Sequence, residues 1–127
     1  MKIVGTGIDI IENARIKKSI KNDLFVKRIY SKIEILNSKK FNDKTLYFSK
    51  KFAAKEAFVK SLGTGFKKGI NFKDVSVIND KLGKPLFLIF DKIKKIIKKK
   101  FNTKSFNFFL SISDERKYSI AIVIFQI

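Results

Sequence analysis

One stretch of the sequence decides the fold: residues 44–65, which read KTLYFSKKFAAKEAFVKSLGTG. Four of its apolar side chains recur at helical spacing: Phe48, Phe52, Val59 and Leu62. This periodicity predicts an amphipathic helix over about Lys44 to Leu62. Gly63 follows directly and is the residue type that most readily ends a helix, so we expect the helix to stop there.

Three charged residues break the apolar pattern of this helix. On a helical wheel Lys55 falls near the centre of the apolar stripe, Glu56 lies at its flank, and Lys60 lies one turn beyond Glu56. One interpretation is a surface pair of Glu56 with Lys60, with Lys55 extending its charged end to solvent. The other is functional: Glu56 binds a metal ion and the lysines bind phosphates.

A second anomaly lies in the first predicted strand, Lys2 to Ile11. Asp9 interrupts an otherwise apolar β-branched run, and Gly5 and Gly7 inside the strand indicate a close backbone approach or a bulge. Taken alone, an aspartate at a strand end is more often a cap or turn residue. Together with Glu56, however, it supplies the oxygen ligands that suit a hard cation such as Mg²⁺.

The glycines after the long helix allow two interpretations. Gly63, Thr64 and Gly65 can simply end the helix, or they can let backbone N–H groups approach a phosphate. The segment lacks the spacing of a P-loop. The earlier Gly5-Thr6-Gly7 run also lacks the third glycine and the following helix of a dinucleotide-binding fingerprint.

Shorter elements surround this helix. Asp23 is a candidate N-cap for a helix that starts at Leu24, and Ser31 with Glu34 forms a candidate capping box. The remaining predicted elements are a short helix over residues 12–18, strands over 75–78, 86–90, 106–113 and 118–127, and a helix over 91–101. The sequence therefore predicts one α+β domain over residues 1–127, with helices inserted after the first strand and an antiparallel sheet.

Composition excludes several classes of function. The 127 residues are 45% hydrophobic, which is enough for one core. They include no cysteine and no histidine, so disulfides, thiolate or histidine metal sites and histidine-based triads are excluded. No apolar run is long enough to span a membrane, and the first residues do not resemble a signal peptide, so we expect a cytoplasmic protein.

The formal charge of +18 has two sources. Lysine outnumbers arginine 26 to 3, whereas a chain selected to grip phosphates should also use arginine, so we attribute about half of the positive charge to base composition. The rest still favours acidic proteins, nucleic acids or phosphorylated ligands as partners. A nucleic-acid-binding module is the alternative function, but arginine is scarce and the aromatic residues are mostly phenylalanines at core-like positions.

Two motifs, separated along the chain, are typical of a known protein family. Residues 7–10 (GIDI) and residues 52–65 (FAAKEAFVKSLGTG) together resemble the 4′-phosphopantetheinyl transferases, in particular their small holo-[acyl-carrier-protein] synthase branch. The likeness extends to residues 28–34, 79–85 and 111–118 and so covers essentially the whole chain. The resemblance implies Mg²⁺-dependent transfer of phosphopantetheine from coenzyme A to a serine of acyl carrier protein, for fatty acid synthesis. The released product would be adenosine 3′,5′-bisphosphate.

The resemblance also implies roles for individual residues. Asp9 and Glu56 would be the Mg²⁺ ligands, and Lys60 and Lys55 would neutralise coenzyme A phosphates, so that Asp9, Glu56 and Lys60 form the catalytic set. The coenzyme A groove would be lined by Gly63, Thr64, Gly65, Gly83, Lys84, Pro85 and Ser113. The acyl carrier protein would dock on Arg15, Lys18, Lys21 and Arg28.

Members of this branch are typically homotrimers with sites between subunits, and we expect the same here. Two positions depart from the family pattern: Asp114 replaces a common histidine, and Lys51 replaces a common arginine. The residue that accepts the serine proton is not evident from the sequence; Glu56, a metal-bound water and a water near Lys60 all fit.

Overall fold

The computed structural model describes residues 1–63 and 70–127. The described strands are β1 (Ile3–Glu12), β2 (Val75–Asn79), β3 (Pro85–Ile89), β4 (Asn107–Asp114) and β5 (Tyr118–Gln126). The described α-helices are α1 (Asn13–Ser19), α2 (Asp23–Ile29), α3 (Lys32–Ser38), α4 (Thr45–Leu62) and α5 (Asp91–Lys100), and a 3₁₀ turn covers Phe72–Asp74. The predicted α+β class and the element order are confirmed.

The strands form two antiparallel sheets. One has the order β1-β5-β4, with Gly7 opposite Val123 and Asp9 opposite Ala121, and the other is the β2–β3 hairpin. Because side chains alternate along a strand, Gly5, Gly7 and Asp9 all lie on the same face of the larger sheet. That face is covered by α4, which places Asp9 beside the helix that carries Glu56 and Lys60.

The contact between α4 and β1 is unusually close, and the two glycines of β1 make it possible. A Cβ built on Gly7 would lie 1.8 Å from the Ala57 carbonyl oxygen, and one on Gly5 would lie 1.8 Å from that of Ser61. Any other residue at either position would push the helix away from the strand. The predicted close approach is therefore confirmed, and the pairing of β1 with β5 also shifts register between Ile3 and Gly5.

Of the two helix caps predicted from the sequence, one is confirmed and one is wrong. The Ser31–Glu34 capping box is present, with both reciprocal hydrogen bonds. Asp23 is not the N-cap of α2, however. Asn22 takes that position, and its side-chain oxygen accepts from the backbone N–H groups of Leu24 and Phe25. Asp23 is instead the first residue of the helix, where its charge still favours the helix N-terminus.

Two apolar clusters hold these layers together. The first joins α4 to the sheet and to α1 and α2 through residues such as Ile16, Tyr30 and Ala57, all of which are 2% exposed or less. The second packs α5 against the end of α4 and β5 through Ile93, Ile97 and Phe125. Within the described ranges, none of the helices combines the length and the apolar character needed to cross a bilayer.

Candidate active site

The junction of β1 and α4 brings two of the predicted site residues into direct contact. The ammonium nitrogen Nζ of Lys60 lies 3.1 Å from Asp9 Oδ1 and donates to the Ile8 carbonyl oxygen at 3.0 Å. The Lys60 side chain is 53% exposed and that of Asp9 is 16% exposed. The pair therefore lies at the protein surface, where a bound phosphate could reach the cation and a metal ion could reach the carboxylate.

Glu56 belongs to the same face of α4, one turn before Lys60. It lines a cavity of about 440 Å³ together with Arg28 of α2 and with Phe72 and Lys73 of the 3₁₀ turn. Among the described residues, the wall of this cavity combines apolar side chains with one carboxylate and two cations. Such a lining suits a long ligand that has an uncharged arm and a charged end.

The donor chemistry of this region fits Mg²⁺. The described part of the chain contains no group of three or more acidic, histidine or cysteine side chains placed to hold a metal ion. A pair of carboxylates is nevertheless a common way to hold Mg²⁺, since water and substrate phosphates complete its shell. Asp9 and Glu56 lie on elements that pack directly on each other, so the residues predicted as Mg²⁺ ligands offer donors of the right kind in one region.

Lys55 does not join this group, contrary to the prediction that it contacts coenzyme A phosphates. Its side chain is only 1% exposed, and its Nζ lies 2.6 Å from Glu34 Oε1. The same nitrogen donates to the carbonyl oxygens of Phe72 at 2.8 Å and Val75 at 2.6 Å. Because an ammonium has three donors, these three acceptors use all of them. The geometry argues against both the phosphate contact and an extension of Lys55 to solvent.

Lys51 is also buried, and it too interacts electrostatically with Glu34. Its Nζ donates to the Val77 carbonyl oxygen at 2.9 Å and lies 4.4 Å from the ring centroid of Tyr47. Burial lowers the pKa of Lys51 to about 8, although the Glu34 carboxylate opposes the shift. Burial likewise lowers the pKa of Lys55, and Glu34 again opposes it.

A larger groove of about 690 Å³ is lined in part by β2, through Val77 and Ile78. Gly83 and Pro85, two of the residues predicted to contact coenzyme A, line it together with Lys51 and Asp114. Lys84 lines the adjoining cavity of about 390 Å³ instead. Asp114, which the sequence marked as a departure from the family pattern, has its Oδ1 4.0 Å from Lys50 Nζ at the groove.

Of the other residues predicted to line the coenzyme A groove, the two that the structure describes, Ser113 and Gly63, are not among the residues that line it. Ser113 is exposed on the face of the sheet that points away from α4, because it alternates with Asp114 along β4. Gly63 ends α4 with φ of +88°, which confirms its role as a helix stop. Thr64 and Gly65 lie outside the described residues.

The four predicted docking residues all lie at the surface. Arg15, Lys18 and Lys21 are exposed on or just after α1, and Arg28 is exposed on α2 at the edge of the cavity that Glu56 lines. Three of these cations therefore belong to the α1 segment, and Arg28 lines the same cavity as Glu56. A surface with this placement could attract an acidic partner and direct it to the site.

Glu34 has a second role that was not predicted from the sequence. Its predicted place in the capping box is confirmed. The side chain is nevertheless completely buried, and its Oε2 also accepts from the Val77 N–H at 2.8 Å. One available signal was Lys55, because a lysine at the centre of an apolar stripe needs a buried counter-charge from another element.

Comparisons with known proteins agree with the motifs. A family model described as the 4′-phosphopantetheinyl transferase superfamily matches residues 5–123. A holo-[acyl-carrier-protein] synthase of Pelagibacter ubique is 64% identical over 126 residues, covering 99% of this chain and 98% of that protein.

Solved structures give the same result. A holo-[acyl-carrier-protein] synthase from Neisseria meningitidis is 32% identical, with a TM-score of 0.86 over 98% of this chain and 99% of that one. A Bacillus anthracis holo-(acyl-carrier-protein) synthase in complex with CoA (3′,5′-ADP) is 35% identical, with a TM-score of 0.80 over 98% and 96% of the two chains.

Proposed function

The chain belongs to the 4′-phosphopantetheinyl transferase superfamily and, within it, to the holo-[acyl-carrier-protein] synthases, and on that premise we propose the reaction that it performs. It transfers the 4′-phosphopantetheine group from coenzyme A to a serine hydroxyl of an acyl carrier protein and releases adenosine 3′,5′-bisphosphate. The product is the holo form of the carrier protein, which serves fatty acid synthesis.

The observation that supports this most is the junction of β1 and α4. It combines the Asp9–Lys60 pair, 3.1 Å apart, with Glu56 one turn away on the same helix face. Transfer of a phosphoryl-linked group requires mainly positioning and charge stabilisation, and little covalent work by the protein. A site with carboxylates and lysine but without histidine or cysteine is therefore sufficient.

Asp9 and Glu56 would hold Mg²⁺ in this site. When bound, Mg²⁺ would neutralise the pyrophosphate oxygens of coenzyme A and so favour departure of the bisphosphate. Lys60 would orient Asp9 and place a second positive charge beside the reacting phosphate, since its Nζ is held by both Asp9 and the Ile8 carbonyl oxygen. That charge is fixed before reaction, which is the condition for effective electrostatic stabilisation.

The two larger cavities provide room for the two ends of coenzyme A. The groove of about 690 Å³, with Gly83, Pro85 and several lysines in its lining, suits the phosphorylated nucleotide. The cavity of about 440 Å³ beside Glu56 suits the pantetheine arm, because apolar residues such as Val59 and Phe72 form much of its wall.

The exposed cations of α1 and α2 would dock the carrier protein, which is small and acidic in this family. Exposed charges of this kind raise association rates more than they raise affinity. Arg15 has the strongest case, since it is one of only three arginines in a chain whose composition favours lysine.

We also propose that the chain works as a homotrimer. The sheet face that points away from α4 exposes apolar side chains on all three strands, among them Ile8 (56%), Ile122 (44%) and Phe109 (51%). A patch of this kind on a monomer is a candidate interface. Ser113 lies on the same face, so an interface there would let one subunit present it to the site of another. Light scattering after size-exclusion chromatography would give the oligomeric state, and a monomer would contradict the proposal.

Mass spectrometry of the carrier protein tests the main proposal. Apo-acyl carrier protein incubated with coenzyme A, Mg²⁺ and this protein should gain the mass of one phosphopantetheine group. A carrier protein whose acceptor serine is replaced by alanine is the control and should gain nothing. Salt-sensitive binding of oligonucleotides without any transfer would contradict the proposal and favour a nucleic-acid-binding function instead.

A further inference from the structure

The β2 strand has one edge that no other strand covers. β3 pairs with β2 on one side only, and the second sheet has no further member in the described part of the chain. On the other side the buried backbone groups of Val75 and Val77 have no strand as a partner and lie against side chains of α3 and α4. An uncovered strand edge leaves backbone donors and acceptors that must find partners.

Charged side chains supply those partners. The Val75 carbonyl oxygen accepts from Lys55 Nζ at 2.6 Å, and the Val77 carbonyl oxygen accepts from Lys51 Nζ at 2.9 Å. The Val77 N–H donates to Glu34 Oε2 at 2.8 Å. Two ammonium groups thus donate to the carbonyl oxygens and a carboxylate accepts from the amide. These three side chains make the hydrogen bonds that a neighbouring strand would otherwise make.

Glu34 is the centre of this arrangement. It is completely buried, and its Oε1 accepts from the Ser31 N–H at 2.9 Å while lying 2.6 Å from Lys55 Nζ. Its two oxygens therefore connect the start of α3, the middle of α4 and the edge of β2. No other acidic side chain in the described ranges is fully buried, so the two buried lysines depend on this carboxylate for charge balance.

The backbone that Glu34 holds forms walls of both large cavities. Lys55 also binds the carbonyl oxygen of Phe72, and Phe72 lines the cavity beside Glu56. Val77 lines the larger groove, and β2 leads into the turn that carries Gly83 and Pro85. Movement of β2 away from α4 would therefore alter both cavities at once, whereas the cations of α1 would keep their places.

We propose that Glu34 is a positioning residue for coenzyme A: through Lys55 and Val77 it holds the 3₁₀ turn and the β2–β3 hairpin at the spacing from α4 that coenzyme A requires. This inference rests on the proposed function. Glu34 touches no reacting atom, and its effect reaches the ligand only through the backbone that it anchors.

The Glu34→Gln variant tests the proposal, because glutamine keeps the size of the side chain but removes the charge. We expect the dissociation constant for coenzyme A, measured by titration calorimetry with Mg²⁺, to rise about 10-fold or more, as is typical when a supporting residue behind a site is lost. The KM for carrier protein should change less than the dissociation constant for coenzyme A, since three of the four predicted docking cations, Arg15, Lys18 and Lys21, lie on or just after α1 and make no contact with Glu34. Hydrogen exchange at the Val77 amide should become faster.

A matched control separates positioning from loss of stability. Ile97→Ala removes a completely buried side chain from α5, which lines neither cavity. Both variants should unfold at a lower temperature, by about 10 °C. Only Glu34→Gln should lose coenzyme A affinity when both are assayed well below their midpoints. If Glu34→Gln does not fold, Glu34→Asp serves in its place, because it retains the charge and shortens the reach by one methylene.

The outcomes are distinct. Wild-type coenzyme A affinity in a folded Glu34→Gln or Glu34→Asp variant would overturn the positioning role, and so would an equal loss of affinity in Ile97→Ala. If the wild-type protein bound no coenzyme A and modified no carrier protein, the proposed function would fail and the positioning role with it. The Val77 amide exchange would still report whether Glu34 anchors β2.

Discussion

Replacement of Gly7 by alanine is the sharpest test of how the site is built. Gly7 lies against α4, and a Cβ at this position would lie 1.8 Å from the Ala57 carbonyl oxygen and 2.8 Å from the Ser61 nitrogen. Real Cβ atoms essentially never come closer than 3.0 Å to such atoms, so the helix and the strand must separate by at least about 1.2 Å, the difference between 3.0 and 1.8. Both obstacles are backbone atoms of a helix, which cannot rotate away as a side chain could.

This separation would act on the site directly. Asp9 lies two residues after Gly7 on the same face of β1, and its Oδ1 is 3.1 Å from Lys60 Nζ. A shift of this size would take that pair out of hydrogen-bond range and change the spacing of Asp9 from Glu56. A misplacement of about 1 Å in catalytic groups can reduce turnover about 100-fold. Overpacking itself should lower stability by about 1–3 kcal/mol.

The assay is the rate of phosphopantetheine transfer at saturating substrates, with the unfolding midpoint measured by circular dichroism. Gly7→Ala should remain folded at 25 °C and lose about 100-fold in kcat. Ile97→Val, which trims a buried side chain of α5 at a cost of about 1 kcal/mol, should keep its full kcat despite a lower midpoint. A Gly7→Ala variant with more than half of the wild-type kcat would refute the reasoning, because it would show that the site tolerates separation of β1 from α4.

Three further predictions follow from the same geometry. Asp9→Ala and Glu56→Ala should each lower turnover by orders of magnitude at limiting Mg²⁺ with little change in the unfolding midpoint; near wild-type turnover in either variant would contradict the metal assignment. Charge reversal at Arg15 and Lys18 should raise the KM for carrier protein and leave that for coenzyme A unchanged. The effect should shrink as salt shortens the Debye length below about 10 Å, and equal changes in both KM values would exclude a carrier-protein surface. Because burial lowers the pKa of Lys51 from 10.5 to about 8, the unfolded chain binds more protons than the folded chain between those pH values. The stability of the wild type relative to Lys51→Met in urea unfolding should therefore rise across that window, and a constant difference would contradict the burial of a cation.

The elements were predictable because the signals that define them are local. Apolar periodicity predicted the first residue of α4 to within one position, and Gly63 correctly predicted where the helix ends. The glycines of β1 predicted a close backbone approach, and the structure identifies the partner as α4. The Asn22 cap was missed because Asn22 and Asp23 are adjacent and both are good caps, so propensity alone does not choose between them.

The environment of Lys55 was not predictable in the same way. Helical spacing correctly placed Lys55 within the apolar stripe, but its counter-ion Glu34 lies 21 residues earlier and already had a local role in the capping box. A satisfied local motif gives no reason to look for a distant partner. The family resemblance predicted that both lysines of the motif bind phosphates. In the structure the two differ in burial, because the Lys60 side chain is half exposed and the Lys55 side chain is buried.

The contrast between these two lysines bears on the charge of the chain. Base composition can account for the abundance of lysine, but it does not account for where Lys55 points. Its compact ammonium has three donors directed at three acceptors, Glu34 Oε1 and the carbonyl oxygens of Phe72 and Val75, all within 2.6–2.8 Å. The planar fork of arginine does not match acceptors arranged around a single point. The three acceptors at this position therefore favour lysine over arginine. The lysines whose abundance base composition explains are the solvated ones, such as those of α5.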